Sequence, residues 1–491
     1  MLAKAISLWR PAFNSKCTIR QQYCRRCLVA ITAIILVCLF TWNSFAEVPL
    51  YRISLDSNPG FTSWEDEHHH QHSVSINHTL PKIHLLLPGN KANYKICRTL
   101  TSAIVNDYPP PVIINWQQNE GDDSMNGYDM TTGKNWGVLQ YMRSLPASAS
   151  DDLIIMADAH DVVFQLPPSV LVHRYNVFRS QTMARLIRQH GAEQVSQLGL
   201  DLSIVMGAEK FCWPFDHRHP ACYAVPTSPL PHNAYGPRTD TSTHTNRPRW
   251  LCSGTIIGPV KDMLKLYERA HAMWTAYETG GGDQDYFSNI YGRQELSRQY
   301  QRGSKEWVFG FGEQFRESSL IVPHIETTHT DYKLGVDLTS TMFQSLNAAL
   351  GDMSLVVHSN TVDLAKKDKK HKTNRIFGNE FPFPRDMLDL PIPYGAGESS
   401  WRDLQLFTNF HARSIPAVLH YNGDKSKMDE WWKRQWWTGH GKQMLRARGL
   451  DNGLWMQTDR YVDGEAEKIR WDDMCGDFED KVFVKPVRDL A

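Results

Sequence analysis

The sequence has no surplus of charge of either sign: Lys plus Arg and Asp plus Glu each number 53 in 491 residues. Without a basic excess there is no general attraction to a polyanion, so nucleic acid is not an expected partner. Cysteine is scarce, at nine residues, and no CxxC…CxxC array is present, which excludes the common structural zinc modules. No internal repeat is found, which argues against solenoids and propellers. The terminal Arg488-Asp489-Leu490-Ala491 is not a retrieval signal of the Lys-Asp-Glu-Leu type, which favours the Golgi over the endoplasmic reticulum for a secretory-pathway protein.

Uncharged apolar runs of membrane length are also missing, except near the start. Lys4, Arg10, Lys16, Arg20, Arg25 and Arg26 precede any acidic residue, and Cys27 to Ala46 then runs without a charge. About 20 apolar residues cross a bilayer, and a basic flank stays cytosolic. The expected layout is a cytosolic tail over 1–26 and a transmembrane anchor over 27–46, with the remainder lumenal, a single-pass type II arrangement. A cleaved signal peptide ending near Phe45-Ala46 is the alternative. Residues 47–80 read as a stem. Its cluster EDEHHHQH, Glu65 to His72, reads as a solvated linker, and Asn77-His78-Thr79 is a glycosylation sequon. A lumenal address predicts oxidised cysteines. Cys97, Cys212, Cys222, Cys252 and Cys475 lie beyond the anchor, and Cys212 and Cys222 are near enough to close a short loop. Their odd number leaves at least one free or paired between chains.

The folded part begins near Lys82. IHLLLP (Ile83 to Pro88), VIINW (Val112 to Trp116), LIIMA (Leu153 to Ala157) and LSIVMGAE (Leu202 to Glu209) suit buried strands. Lys134 to Arg143, Val170 to Gln189 and Val260 to Glu278 suit helices. Strands alternating with helices argue an α/β layered fold. Thr227 to Pro248, the basic run Lys366 to Lys372 and the Pro-rich stretch Phe381 to Pro393 read as exposed or irregular loops. Tryptophan is abundant at 16, and most of it reads as core, including Trp431, Trp432, Trp436 and Trp437.

The motif Asp158-Ala159-His160-Asp161 follows directly on LIIMA. Both carboxylates therefore stand at the carboxyl end of a strand, where open α/β sheets place ligands. A turn there can aim both at one hard divalent ion, Mn²⁺ or Mg²⁺. By itself the pair reads equally as a turn with a helix cap.

LIIMADAHDVVF closely resembles the strand and metal motif of the glycosyltransferase domain in procollagen lysyl hydroxylases and its fungal relatives. Further words follow in the family's order: IVMGAEKFCWPF (Ile204 to Phe215), CSGTIIG (Cys252 to Gly258), GGDQDYFSNIYG (Gly281 to Gly292), VDLTSTMFQSLNAA (Val336 to Ala349) and VLHYNG (Val418 to Gly423). CSGTIIG is similar to the family's Ser-Gly loop. The resemblance implies a GT-A fold, a Rossmann-like nucleotide-sugar transferase domain, over 81–445 with a C-terminal extension over 446–491. It implies Asp158, Asp161 and His420 as metal ligands. It implies that Gly423 lets the backbone approach a donor diphosphate, with Lys425 or Lys427 neutralising it, since Ser426 stands where related folds carry the lysine. Lys134, after Gly133, matches a donor-pocket lysine.

Asp283 matches the last acid of the family's Asp run. It is expected to act as a base on the acceptor hydroxyl or to stabilise charge at the anomeric carbon. Here Gly280, Gly281 and Gly282 replace the other acids, and Asp285 is added beyond, so Asp283 and Asp285 form the expected catalytic pair. No His-x-Asp…His set stands where an iron hydroxylase domain would need it. The expected activity is transfer of a hexose from a nucleotide sugar, a UDP-sugar, to a hydroxyl of a glycan or glycoprotein at the Golgi or endoplasmic reticulum membrane. Two alternatives remain: a non-catalytic, membrane-tethered glycan-binding protein, and a lumenal metal-dependent hydrolase using His324 to Asp331.

Overall fold

A computed structural model describes residues 81–119, 132–277, 281–303, 320–321, 331–378, 380–393, 400–450 and 453–487. The expected tail, anchor, stem and Asn77 sequon lie outside the described residues, as does most of His324 to Asp331. Among the described residues no helix is long and apolar enough to cross a membrane.

The strands are β1 (Ile83–Pro88), β2 (Val112–Ile114), β3 (Leu153–Ala157), β4 (Val162–Phe164), β5 (Ile204–Glu209), β6 (Trp250–Pro259), β7 (Leu334–Val336), β8 (Phe343–Ser345), β9 (Met353–Val357), β10 (Gln405–Asn409), β11 (Val418–His420), β12 (Trp455–Val462) and β13 (Glu465–Arg470). Eleven of them form one sheet in the order β13-β12-β2-β1-β3-β6-β5-β8-β11-β4, with β7 beside β5. β12, β2, β1 and β3 run parallel; β6 is antiparallel to both β3 and β5; β5, β8 and β11 run parallel again. β5, β8 and β11 therefore point the same way as β3, and their carboxyl ends share one edge of the sheet.

The apolar runs form strands because helices cover both faces. Along β3, Leu153, Ile155 and Ala157 enter one core while Ile154 and Met156 enter the other. The first core is completed by helices α1 (Tyr94–Val105) and α2 (Pro168–His190), through Ile96, Leu100, Leu171 and Tyr175. The second is completed by α3 (Gly133–Ser144), α4 (Val260–Ala276) and α5 (Gly282–Gln301), through Leu139, Leu266, Tyr267 and Phe287. The result is a mixed α/β fold around a large parallel and antiparallel sheet, compatible with the Rossmann-like class.

Several local expectations need correction. CSGTIIG is the middle of β6, not a loop, because its backbone is paired on both sides. The basic run Lys366 to Lys372 is mostly helical: Thr361–His371 is capped by Asn360 and ends at Lys372 with φ of 62°. Asp368 in that helix is buried against Arg413, which anchors one face; Lys367 reaches back to the Leu355 carbonyl and Asp363, while Lys366, Lys369, Lys370 and Lys372 are exposed. In the Pro-rich stretch Phe381, Phe383 and Met387 are buried. VIINW stops pairing at Ile114, since Asn115 turns at φ of 61°. Trp432, Trp436 and Trp437 are, as expected, buried core, packed edge to face, and Trp431 is half-buried beside them. The extension over 446–491 adds β12 and β13 to the sheet, and Met456 and Trp471 join the first core.

Candidate metal centre

Two register relations assemble the site. β3 pairs with β6 so that Ala157 faces Thr255, and the Asp158 amide donates to the Gly254 carbonyl at 2.9 Å. β11 pairs with β4 so that His420 faces Val162, and the Tyr421 amide donates to the Asp161 carbonyl at 2.7 Å. Asp158, Asp161 and His420 are thereby brought together from segments far apart in the chain. His420 Nε2 lies 3.6 Å from Asp158 Oδ2 and 3.5 Å from Asp161 Oδ1. One ligand atom from each residue fits within 4.8 Å of the others.

These donors fit a hard divalent ion. At metal–oxygen distances of about 2.1 Å, neighbouring ligand atoms stand about 3 Å apart, and wider angles accommodate the observed separations. Two carboxylates and one imidazole suit Mn²⁺ or Mg²⁺ better than a soft ion. Asp161 and His420 are buried, whereas the Asp158 side chain is 27% exposed, so the cluster opens on one side. Gly254 forms the floor: a Cβ there would lie 2.2 Å from His420 Cε1 and 2.7 Å from Asp158 Oδ2.

Two lysines hold the outer carboxylate oxygens. Lys134 Nζ is 2.7 Å from Asp158 Oδ1 and 3.0 Å from Asp283 Oδ2. Lys425 Nζ contacts Asp161 Oδ2. Lys427 instead pairs with Glu430 on its own helix at 2.6 Å, which separates the two candidate lysines. Burial works against the Lys134 charge, but Asp158 and Asp283 outweigh it and raise its pKa. Burial would also raise Asp158, yet Lys134 and His420 hold it well below the usual carboxylate range. Asp283 shares Lys134 and is more deeply enclosed, so burial prevails and its pKa is raised. For His420, burial is overcome by Cys252 and Asp158, and the pKa rises to about 10.

The other anticipated residues are placed as follows. Asp283 and Asp285 are both buried in the first turn of α5; Asp283 joins the cluster through Lys134, and Asp285 packs its Cβ beside Gly281. Gly423 lies against Asn347, whose Cα would be 3.1 Å from an added Cβ, so its small size serves packing between two loops.

Sequence reasoning assigned no role to a second layer. Glu209, the last residue of β5, is buried and accepts from Gln284 Nε2 at 3.3 Å and from Asn422 Nδ2. Burial pushes its pKa up to about 7, with Cys252, Gln284, His420 and Asn422 offsetting part of the rise. Asn422 Oδ1 accepts the Leu346 and Asn347 amides at 3.1 and 2.9 Å, joining the ends of β8 and β11. Cys252 Sγ lies 3.4 Å from His420 Nδ1 and so faces the ring nitrogen turned away from the carboxylates. The available signal was position: Glu209, like Asp158, stands at a strand's carboxyl end, and Asn422 follows His420 by two.

Among the described residues two disulfides form, Cys97–Cys475 and Cys212–Cys222, and Cys252 is a buried thiol outside them. No family model matches this chain, and no curated protein matches it significantly.

Proposed function

We propose that this chain is a metal-dependent glycosyltransferase with a GT-A-type fold, moving a hexose from a nucleotide-sugar donor to a hydroxyl of a glycan or glycoprotein. The observation that carries this reading is the Asp158–Asp161–His420 cluster at the carboxyl edge of the sheet, open on the Asp158 side. A bound Mn²⁺ or Mg²⁺ supplies a Lewis acid that stabilises the departing diphosphate. Asp158, Asp161 and His420 would hold it. Lys134 fixes Asp158 and adds positive charge beside it. Lys425, on the loop after β11 and in contact with Asp161, would neutralise the donor phosphates. In the transfer, the acceptor oxygen bonds to the anomeric carbon and gives its proton to solvent water, while the bond from that carbon to the diphosphate oxygen breaks and the nucleotide diphosphate leaves with the bonding pair. The Lys134 contact favours an electrostatic role for Asp283 over that of a free base.

The resemblance to the glycosyltransferase domain of lysyl hydroxylases supports a UDP-sugar donor. Two disulfides support an oxidising, lumenal address, and the basic and apolar leader supports a type II anchor in the Golgi or endoplasmic reticulum membrane. The test is nucleotide release by the full-length protein in detergent, with Mn²⁺ and each common nucleotide sugar. Release with one donor, reduced about 10²- to 10⁴-fold by Asp161→Ala, is expected. Unchanged turnover in Asp161→Ala would sink the metal centre. Donor binding without release from any nucleotide sugar would favour the glycan-binding alternative.

A further inference from the structure

The two lysines at the metal centre are not equivalent. Each carboxylate turns one oxygen toward His420 Nε2 and the other toward a lysine: Asp158 Oδ2 and Asp161 Oδ1 face the imidazole, while Asp158 Oδ1 and Asp161 Oδ2 face Lys134 and Lys425. Lys134 rises from the first turn of α3, is 14% exposed, and is held by a second carboxylate, Asp283. Its charge is locked in place. Lys425 sits on the loop between β11 and the helix Ser426–Trp432, is 50% exposed, and pairs with Asp161.

We propose that Lys425 is a displaceable counterion of this centre: its ammonium neutralises Asp161 in the metal-free protein, gives up that carboxylate when a divalent cation binds, and then becomes available to an anionic donor. The inference rests on reading Asp158, Asp161 and His420 as the metal site. Its physical basis is simple. An ammonium and a dication on the two oxygens of one carboxylate repel each other, and only the half-exposed lysine has solvent to move into. Lys425 therefore weakens binding of the metal alone and strengthens binding of metal with donor. The coupling is reciprocal, so metal also promotes donor binding. An order follows: a bare nucleoside diphosphate meets a lysine already engaged, whereas after metal binding it meets a free one.

The experiment measures Mn²⁺ binding without nucleotide, by calorimetry and by the loss of free-Mn²⁺ paramagnetic signal, on full-length protein in detergent. Wild type, Lys425→Met, Lys425→Arg and Asp161→Ala are compared, and UDP binding is then titrated with and without Mn²⁺. Lys425→Met is expected to bind Mn²⁺ alone about two- to fivefold more tightly than wild type, the scale of a partly solvated ion pair. It should bind UDP more weakly in the presence of Mn²⁺, with a smaller Mn²⁺–UDP coupling, and Lys425→Arg should restore the weaker Mn²⁺ binding. Equal or weaker Mn²⁺ binding by Lys425→Met overturns the counterion role. If Asp161→Ala still binds Mn²⁺ like wild type, the metal site itself is misassigned. If Asp161→Ala loses Mn²⁺ while Lys425→Met gains nothing, only the counterion inference fails.

Discussion

A single missing methyl group shapes the candidate metal centre. Gly254 pairs with Asp158 through the backbone, and any side chain there would overlap His420 and Asp158 together. Neither neighbour can yield freely: His420 is buried with Cys252 at its Nδ1, and Asp158 is tethered to Lys134. Gly254→Ala is therefore expected to displace two ligands while leaving both cores intact. Mn²⁺ affinity should fall at least about tenfold with a near-wild-type circular dichroism spectrum, since moving a ligand out of line forfeits much of a coordination bond. Wild-type Mn²⁺ affinity in that variant would show that His420 or Asp158 is not a ligand. The buried charges around the centre follow the same logic: a shared cation, Lys134, lets two enclosed carboxylates coexist, the more open Asp158 held below the usual carboxylate range and the more enclosed Asp283 raised by burial.

At the scale of elements, the smaller layer made by β9, β10 and the segment after residue 380 carries a titration of its own. His358 follows β9 directly. It is buried, bonds Thr408 Oγ1 at 2.9 Å, and meets the edges of Phe381 and Phe383. Burial, with Arg402 and Lys367 nearby, lowers its pKa to about 4. The unfolded ring titrates near 6.5. Because the folded pKa is the lower one, its contribution to stability is fully present above about pH 6.5 and is lost as pH falls toward 4. By pH 5 the unfolded state has taken up a proton that the folded state refuses, a loss of about 2 kcal/mol. Urea midpoints of His358→Gln are expected to vary less than those of wild type between pH 6.5 and 4. Parallel curves would mean that His358 takes up its proton in the folded state. The same layer explains why the Lys366 to Lys372 run misled: charge suggested a loop, but Asp363 and Lys367 form a helix-spaced pair, and Asp368 meets Arg413 from a distant segment, neither of which composition reveals.

At the scale of the whole molecule, the two ends of the described chain are joined. Cys97 in α1 bonds Cys475 in the helix Trp471–Cys475 across a sequence separation of 378. β12 adds Gln457 and Thr458 beside β2, and the Asp459 carboxylate takes the Asn115 and Trp116 amides. The extension therefore closes the sheet edge beside the turn that follows β2. Replacing both cysteines by serine is expected to lower stability by about 2–4 kcal/mol, the usual range for a bond closing a long loop. The measurement is a denaturation midpoint under non-reducing conditions. A midpoint equal to wild type would show that β12 pairing and Trp471 burial hold the extension without the bond.

The strands β1 and β3 were legible to the residue, and helices α2, α3 and α4 to within a few residues, because each is a local pattern of apolar spacing that neighbouring turns interrupt. The Asp158-Ala159-His160-Asp161 turn was legible for the same reason, and only a resemblance, not local pattern, pointed to His420. What chain order could not express was adjacency. β6 inserts antiparallel between β3 and β5, and its pairing, not its glycine-rich composition, makes CSGTIIG a strand and puts Gly254 under two ligands. Lys425 was separated from Lys427, and Glu209 and Asn422 were joined, only when the carboxyl ends of β5, β8 and β11 met along one edge. Local periodicity determines which segments can be strands; the order in which strands pair is settled by long-range packing of two cores, and that order decides which charges become neighbours.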